Sequence, residues 1–346
     1  MVNANETAVA FRVDGSADIG MGHVMRCLSL ASQVHARVTS RIYFIMRDYD
    51  AAVDKVVEEG YTVLTLPPNI TRMEEINRMG DMIERKSASV LVIDTPDADG
   101  DMVEPFRDRG LTVAVIDDLG GKKFGADLLV NGSAVERFTQ YPPGSADRLL
   151  IGPQYMIVKE NFLLQSLREK HISKEVRSIL VTLGGADLRK TVFSVIEGID
   201  GIEGRFDVIT VLGKAYIDAA GFESYLRGKK RRYTALHNVS NMADLMHHAD
   251  LAVVSGGMTL YELVCTRTPG LVISMDERQA EEARVFEGHR AVVNLGLWRN
   301  ASSTVIAERV SRLIDDYEMR VHLHDNCRNV MDGRGASRVM EELFGR

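Results

Sequence analysis

The stretch ADLAVVSGGMTLYELVCTRTPGLVI, residues 249–273, contains one complete folding unit of the chain. An apolar run over 250–254 predicts a buried strand, and this run leads directly into a serine and two glycines. Apolar residues then recur at helical spacing from about Met258, and a second apolar run covers 270–274. A strand, a bare glycine turn, a helix and a further strand predict two parallel strands joined by a helix.

The same alternation of short apolar runs and amphipathic stretches continues through nearly the whole chain. It predicts parallel sheets covered by helices on both faces. The turn-rich segment TQYPPGSADR and a polar stretch interrupt the pattern around 140–176. We therefore expect two doubly wound, Rossmann-like α/β domains, residues 1–155 and 156–346, that face each other across a cleft. The expected strands are 7–13, 41–46, 61–66, 89–93, 112–116, 177–183, 206–212, 231–235, 250–254 and 270–274. The expected helices are 22–35, 51–59, 72–86, 101–109, 190–199, 216–226, 241–248, 258–266, 278–288, 302–316, 318–331 and 334–344.

Composition and charge exclude several classes of protein. The 346 residues are 45% hydrophobic and 26% charged, as in an ordinary globular protein. A net charge of −7 argues against binding to nucleic acid or to an anionic membrane, and the short basic run RGKKRRY, 227–233, is expected to form a solvated turn. Cys27, Cys265 and Cys327 are widely spaced and fit neither a disulfide framework nor a zinc site. Because no signal peptide or bilayer-length apolar stretch is present, we expect a soluble cytoplasmic protein.

The glycine turn in the opening stretch has the features of a nucleotide site. Ser255, Gly256 and Gly257 would let a diphosphate approach the backbone, and the N–H groups of the following helix start, at Thr259, would donate to it. Glu262 lies about one turn into that helix. Its carboxylate can accept hydrogen bonds from both ribose hydroxyls of a nucleotide bound at the helix start.

A histidine opens the first helix of the chain, in FRVDGSADIGMGHVMR, residues 11–26. Arg12 and Asp14 are two residues apart at the end of a strand, so they point to one face. His23 follows two glycines, and Arg26 lies one helical turn further on. The positive end of a helix disfavours imidazolium, so His23 could accept a proton from water; a capping or packing histidine fits the residues equally well.

Other loop patterns leave alternatives open. Gly184 and Gly185 end the first strand of the second domain, where a sugar or phosphate contact and a plain tight turn are equally compatible with the sequence. Asp117 and Asp118 end a strand and could bind a metal or a sugar hydroxyl, or form a solvated strand end. GMGHVM lacks the third glycine of a dinucleotide fingerprint, and DADGD lacks the closing glutamate of a calcium loop.

Segments along nearly the whole chain resemble one family. RVDGSADIGMGHVMRCLSLA resembles the R-x-D…G-x-G-H…R opening of the UDP-2,4-diacetamido-2,4,6-trideoxy-β-L-altropyranose hydrolases of pseudaminic acid biosynthesis, which are relatives of spore-coat polysaccharide proteins. The wider architecture is similar to the two-domain glycosyltransferase-B fold, as in the UDP-GlcNAc transferase of peptidoglycan synthesis. The other similar segments are VIDDLG (115–120), DLLVNGSA (127–134), IGPQYMIVKENF (151–162), ILVTLGGAD (179–187) and VVSGGMTLYELVCTRTPGLVI (253–273).

This resemblance implies hydrolysis of a UDP-sugar at the anomeric carbon, without metal or cofactor, releasing UDP and the free sugar with inversion. It implies that His23 is the general base for water and that Glu262 binds the ribose. The family's D-N-Q is replaced by DERQ at 276–279, which leaves the identity of the sugar open. The residues expected to bind the sugar are Arg12, Asp14, Gly22, Arg26, Asp117 and Gln279. The residues expected to bind the nucleotide are Gly184, Gly185, Ser255, Gly256, Gly257, Thr259 and Glu262.

Three functions are compatible with these observations. The first is a UDP-sugar hydrolase, and the second is a glycosyltransferase or epimerase of the same fold acting on a UDP-amino sugar. The third is a nucleotide-sugar-binding protein in which His23 is dispensable. Residues 1–150 contain no basic or apolar run of the kind that lipid-acceptor transferases expose, which favours water as the nucleophile. We expect a UDP-sugar as the small-molecule partner, no cofactor, no metal, no nucleic acid and no membrane insertion; the oligomeric state is not predicted.

Overall fold

The chain forms two compact units in the computed structural model. Unit 1 combines the residues up to Glu160 with those from Arg334 onward, and unit 2 is Asn161–Gly333. The prediction of two doubly wound parallel-sheet α/β domains is confirmed. The residues that the structure describes are 5–16, 19–37, 39–185, 187, 189–214 and 216–345.

The described strands of unit 1 form one parallel sheet. In chain order they are β1 (Asn5–Val13), β2 (Thr39–Arg47), β3 (Thr62–Leu66), β4 (Ala88–Asp94), β5 (Thr112–Ile116), β6 (Ala126–Asn131) and β7 (Ala146–Ile151). Their order across the sheet is β3-β2-β1-β4-β5-β6-β7, with parallel pairing throughout. The order reverses between β1 and β4. Sheets of this kind bind ligands beyond the carboxyl ends of the strands at such a switch point.

Unit 2 repeats this topology. Its described strands are β8 (Ser178–Thr182), β9 (Asp207–Leu212), β10 (Tyr233–His237), β11 (Leu251–Ser255), β12 (Gly270–Ser274) and β13 (Val293–Leu297). They are ordered β10-β9-β8-β11-β12-β13, again all parallel. The switch point of this sheet therefore lies between β8 and β11, the two strands that the glycine turns follow.

Helices cover both faces of each sheet. None of those in the described part of the chain has the length and apolar character that crossing a membrane requires. In chain order they are α1 (Gly22–Arg37), α2 (Asp50–Glu58), α3 (Arg72–Lys86), α4 (Gly100–Arg107), α5 (Glu160–Ser166), α6 (Thr191–Asp200), α7 (Ala219–Arg227), α8 (Met242–His248), α9 (Met258–Cys265), α10 (Glu277–Gly288), α11 (Ser303–Asp315), α12 (Tyr317–Val330) and α13 (Gly335–Phe344).

Alternation along β1 shows how the two faces of the sheet of unit 1 are filled. Phe11 points to the face covered by α1, where it stacks on Phe44 with ring centroids 5.1 Å apart. Ala10 points to the other face, where it belongs to the same cluster as Ile83 and Phe106. Burial of both faces explains why the central strands are continuously apolar instead of alternating.

The last helix belongs to unit 1, which corrects the predicted domain of residues 156–346. The apolar face of α13 is buried in the same core cluster as α1. Gly335 begins α13 against the backbone of Met156, where an added Cβ would collide with the Met156 carbonyl. The buried side chains of α13 in this cluster are Ala336, Val339, Met340 and Leu343.

Three strands are absent from the prediction. β7 lies within the predicted turn-rich break at 140–176, and β6 lies before it, in a stretch with no predicted element. A short 3-10 turn at Glu136–Phe138, and not a full helix, lies between the two strands, so the strand–helix alternation is lost there. β13 contains Gly296 in the left-handed region, with φ at 74°, and this glycine interrupts the apolar pattern. These strands extend each sheet at its far edge and leave the two switch points unchanged.

Candidate active site

His23 lies at the switch point of unit 1 and contacts a carboxylate that the sequence analysis missed. Gly20, at a φ of 79°, precedes the start of α1, and the imidazole of His23 is 20% exposed. Its Nδ1 lies 2.7 Å from Oδ1 of Asp94, the last residue of β4. The two residues are 71 positions apart in the sequence. They meet because β1, which leads to His23, and β4, which ends at Asp94, are neighbours in the sheet.

The ionisation of Asp94 favours one position for the hydrogen on the His23 imidazole. Burial alone would raise the pKa of the Asp94 carboxyl, but the ion pair with Arg26 outweighs burial and lowers it to about 2. An ionised carboxylate only accepts hydrogen bonds, so the 2.7 Å contact with Asp94 requires Nδ1 of His23 to be the donor. Nη2 of Arg26, which can only donate, also lies near Nδ1, at the longer distance of 3.0 Å, and the shorter contact favours the tautomer with the hydrogen on Nδ1. In the neutral ring Nε2 then has a free lone pair, and this nitrogen can take a proton from a hydroxyl group.

Arg26 is a buried partner of Asp94, and its predicted contact with a sugar stays a prediction. Its guanidinium donates hydrogen bonds to both carboxylate oxygens of Asp94, with Nε 2.6 Å from Oδ2 and Nη2 2.6 Å from Oδ1. Nη1 donates to Oδ1 of Asp118 at 2.6 Å, and the side chain is only 8% exposed. Each of its nitrogens therefore contacts a carboxylate, and Nη2 also lies 3.0 Å from Nδ1 of His23.

Arg12 and Asp14 are also buried, which corrects their prediction as direct sugar contacts. Arg12 donates from Nη2 to Asp14 at 2.6 Å and from Nε to Glu75 at 2.7 Å, and neither Arg12 nor Asp14 is more than 1% exposed. Glu75 on α3 also accepts from Arg47 at 2.9 Å, and the backbone N–H of Arg47 donates to Asp14 at 2.7 Å. The network ties β1, β2 and α3 together, and of these four side chains that of Arg47, 18% exposed, is the most accessible.

The two aspartates after β5 have different surroundings. Asp117, predicted to bind the sugar, accepts hydrogen bonds from the N–H of Gly120 at 2.7 Å and from the hydroxyl of Tyr141 at 2.6 Å. It therefore holds the turn that follows the strand. Asp118, 22% exposed, is the one that joins the His23 network through Arg26. Among the described residues no three metal-ligating side chains cluster in a metal-binding arrangement.

Gly22 lies at the start of α1 with open space around it. A Cβ there would meet nothing within 4 Å, so packing does not require glycine. Its predicted contact with a sugar stays a prediction. Ala17 and Asp18, which belong to the opening motif, lie outside the described residues.

In unit 2 the glycine turns after β8, β9 and β11 meet at the carboxyl edge of the sheet. Gly184 has a φ of 87°, and a Cβ on it would lie 3.4 Å from Oγ of Ser255. Gly213, which the sequence analysis did not select, follows β9, and a Cβ there would collide with the backbone of Gly185. Gly213 therefore cannot carry a side chain without moving its neighbours. Gly185 is exposed, and a Cβ on it would meet nothing within 4 Å.

The turn before α9 is equally tight. A Cβ on Gly256 would lie 2.9 Å from Oγ of Ser274 and 3.0 Å from Cβ of Gln279. A Cβ on Gly257 would meet only the amide group of Gln279, at 3.5 Å or more. Oε1 of Gln279 accepts from the N–H of Met275 at 3.0 Å, which fixes this side chain beside the turn. Gln279, predicted to bind the sugar, therefore lies next to the predicted nucleotide loop.

Thr259 and Glu262 lie in the first two turns of α9, which begins at Met258. Both are partly buried. With the glycine turns they give unit 2 an edge of backbone N–H groups, one helix start and a nearby carboxylate. Such an edge suits an anionic group attached to a polyol.

The missed residues differ in how they could have been found. Asp94 ends an apolar run, VLVID, and a carboxylate at the carboxyl end of a strand is a signal that the sequence does contain. Its pairing with His23 depends on β4 lying beside β1, which chain order does not reveal. Gly213 likewise ends a run, VITVLG, and becomes informative only once β9 is known to lie beside β8.

Two switch points in two parallel-sheet units define a glycosyltransferase-B architecture. The fold is similar to the solved structure of Acinetobacter baumannii MurG, with a TM-score of 0.73, 11% identity, and coverage of 97% of this chain and 99% of that one. At this identity the likeness shows the fold alone.

The sequence comparison shows the family. The chain is 30% identical to the spore coat polysaccharide biosynthesis protein SpsG of Bacillus subtilis over 345 residues, covering 97% of this chain and 98% of that protein. It belongs to the SpsG family. A second relative is the Helicobacter pylori pseudaminic acid cytidylyltransferase and UDP-2,4-diacetamido-2,4,6-trideoxy-β-L-altropyranose hydrolase, 23% identical over 145 residues, which are 42% of this chain and 25% of that protein. No family model matches the sequence.

Proposed function

We propose that the protein is an enzyme of sugar or polysaccharide biosynthesis that breaks the anomeric C–O bond of a UDP-linked amino sugar. The observation that supports it most directly is the pairing of His23 with Asp94 at the switch point of unit 1. A buried, ionised carboxylate that holds Nδ1–H leaves Nε2 as a proton acceptor. This is the arrangement that a general base for a hydroxyl nucleophile requires.

In the proposed reaction Nε2 of His23 removes the proton of a hydroxyl group while its oxygen attacks the anomeric carbon. The new C–O bond forms as the bond to the diphosphate breaks, and the electron pair of that bond leaves with UDP. Asp94 stabilises the imidazolium that forms, and Arg26 keeps Asp94 ionised. A single displacement of this kind inverts the configuration at the anomeric carbon.

Unit 2 supplies the proposed nucleotide site. The backbone N–H groups around Gly184, Gly256 and Gly257 donate to the diphosphate and stabilise the charge that develops on it. Ser255 adds a hydroxyl at the point where the turns meet, and Glu262 accepts from the ribose hydroxyls. Thr259 lies in the first turn of α9 beside the same group.

Two nucleophiles fit this proposal. A sugar acceptor makes the protein a glycosyltransferase, and the fold shared with MurG favours that reaction. Water makes it a hydrolase, which is favoured by the opening motif and by the partial match to the bifunctional Helicobacter pylori protein. The base and the nucleotide loops act identically in both reactions, so only the acceptor separates them.

Time-resolved NMR of the purified protein with the UDP-linked diacetamido-trideoxy-altrose, in the presence of a chelator, separates these reactions. Free sugar of inverted configuration, formed without an acceptor, supports hydrolysis. UDP formed only after a hydroxylated sugar acceptor is added supports transfer.

A His23→Ala variant tests the base, with His35→Ala as the matched control because His35 is exposed on the same helix. We expect turnover to fall about 10²–10⁴-fold in His23→Ala, with UDP binding unchanged and with His35→Ala equal to the wild type. Normal turnover by His23→Ala would overturn the role of the base.

A further inference from the structure

A basic groove lies at the amino edge of the sheet in unit 2. It is formed by the segments that lead into β8, β9 and β10, three neighbouring strands, and its volume is about 1000 Å³. The chain as a whole has a net charge of −7, so a concentration of cations in one groove is unusual for it. The basic side chains that line this groove are Lys174, Arg177, Arg205, Lys230, Arg231 and Arg232.

The basic turn at 228–232 is exposed at Gly228, Lys230 and Arg232, and hydrogen bonds hold its backbone in place. The N–H groups of Lys230 and Arg231 donate to the Asp200 carboxylate, at 3.0 Å and 3.4 Å. The Arg231 guanidinium lies 3.8 Å from the ring centroid of Phe206 and donates to the carbonyl of Ile202. Its Nε is buried without a hydrogen-bond partner among the described residues. Lys230 and Arg232 are exposed on either side of this anchored residue.

The carboxylates of the groove neutralise only part of this charge. Arg177 lies 3.3 Å from Glu175 and Arg232 lies 3.6 Å from Asp207, and all four of these side chains are more than half exposed. Exposed pairs of this kind are stabilised by less than about 1 kcal/mol, so an anionic ligand can displace them. Within the part of the chain that the structure describes, no salt bridge involves Lys174, Arg205 or Lys230.

The groove is separate from the glycine turns of unit 2. It lies where β8 and β9 begin, and the turns lie where these strands end. Strands of five to six residues at about 3.3 Å per residue separate the two places by roughly 17–20 Å. A ligand in the groove therefore leaves the glycine turns accessible.

We propose that this groove binds a ligand with two or more phosphate groups. Arginine side chains recognise phosphate through paired N–H donors, and a groove of this size suits a small polyvalent anion. Phe206, the aromatic ring of the groove, is buried beneath Arg231, so no exposed ring is present there for a nucleobase to stack on. The phosphates could belong to a free oligophosphate or to a phosphorylated lipid headgroup. The site does not depend on the proposed reaction.

Isothermal titration of the full chain with sodium tripolyphosphate at low salt tests the site. We expect binding by the wild type, weakened at least about tenfold in the variant Lys174→Ala/Arg205→Ala/Lys230→Ala. The matched control is Arg284→Ala/Arg290→Ala/Arg309→Ala, which removes the same charge from exposed positions elsewhere in unit 2. We expect this control to bind like the wild type, and melting temperatures establish that both variants are folded.

The two sources of phosphate are separated by flotation with vesicles of phosphatidylcholine containing a tenth of phosphatidylinositol 4,5-bisphosphate. Binding of tripolyphosphate alone supports a soluble anion, and binding of both, lost together in the groove variant, supports a headgroup. Binding that survives in the groove variant, as it would at the glycine turns, overturns the proposal. So does an equal loss in the control variant, or the absence of binding to either probe.

Discussion

The switch points of the two units have the same topology and opposite chemistry. In unit 1 the carboxyl edge beside β1 and β4 is occupied by ionisable side chains, and His23, Asp94 and Arg26 are linked by bonds of 2.6–2.7 Å. In unit 2 the edge beside β8 and β11 consists of glycine turns, where the backbone itself is exposed. Side chains can accept and release protons, whereas backbone N–H groups offer fixed donors without a net charge. One fold can thus supply an edge of ionisable side chains and an edge dominated by backbone donors.

The largest effect that we expect comes from Asp94→Asn. The amide of asparagine can hold the imidazole in place but lacks the negative charge of the Asp94 carboxylate. It can also either donate to Nδ1 or accept from it, so it no longer selects one tautomer of His23. We expect turnover to fall by about 10²–10⁴-fold while UDP binding is retained, measured by steady-state kinetics and titration calorimetry. Asp118→Asn is the matched control, because Asp118 also binds Arg26 and is not the carboxylate that contacts His23. Its turnover should fall much less. Equal losses in the two variants would mean that turnover depends on the carboxylates that pair with Arg26, and not on the contact between Asp94 and His23.

The second prediction concerns the buried network of unit 1. Glu75→Gln leaves Arg12 and Arg47 without their shared carboxylate, and a broken buried ion pair costs about 3–5 kcal/mol. We expect the free energy of unfolding to fall by about 3 kcal/mol in urea denaturation. Glu84→Gln, at an exposed position of the same helix, should change it by less than about 0.5 kcal/mol. A stable Glu75→Gln protein would show that the network is dispensable for the fold.

The third prediction tests the bare backbone of unit 2. In Gly256→Val the new side chain would meet Ser274 and Gln279, whereas Gly257→Ala has room. Overpacking of about 1–3 kcal/mol moves the turn away from the geometry needed for a diphosphate. We expect the Kd for UDP to rise about ten- to a hundredfold in Gly256→Val and to change little in Gly257→Ala. Unchanged UDP binding by a folded Gly256→Val protein would remove the nucleotide site from this turn.

The smallest effect extends the comparison to a second histidine. Unlike His23, His247 on α8 is buried without a carboxylate on its ring; burial and the nearby charge of Lys170 lower its pKa to about 4. The unfolded chain, with an ordinary histidine, takes up more protons than the folded chain between pH 6.5 and 4, so stability falls as the pH drops through this range.

Urea denaturation at pH 7 and pH 4.5 measures this loss. With solvent screening taken into account, we expect His247 to contribute on the order of 1 kcal/mol to it. The contribution should vanish in His247→Gln. It should persist in His248→Gln, which removes the exposed neighbour. The same pH-dependent loss in all three proteins would exclude His247 as its source.

The fold was predictable because its signal is local and repeated. Each apolar run followed by an amphipathic stretch reports one strand and one helix, and the strands that this pattern misses, β6, β7 and β13, are those with a short connection or an internal glycine. The position of His23 was predictable for the same reason, since glycines and a helix start surround it in the sequence.

The contacts of the candidate site were less predictable, because they join distant segments. Arg12 and Asp14 were expected to face a ligand, but Glu75 on α3 lies against them and buries them. The choice between Asp117 and Asp118 depended on the turn at Gly120 and on the reach of Arg26. None of these neighbours can be read from spacing along the chain.

The return of α13 to unit 1 has a consequence for how the protein is made. Unit 2 is one uninterrupted segment, and all of it is synthesised before α13. The core behind α1, the helix that begins beside His23, is completed only when α13 arrives. During synthesis unit 2 can therefore begin to fold while the core of unit 1 still lacks its ten-residue helix α13.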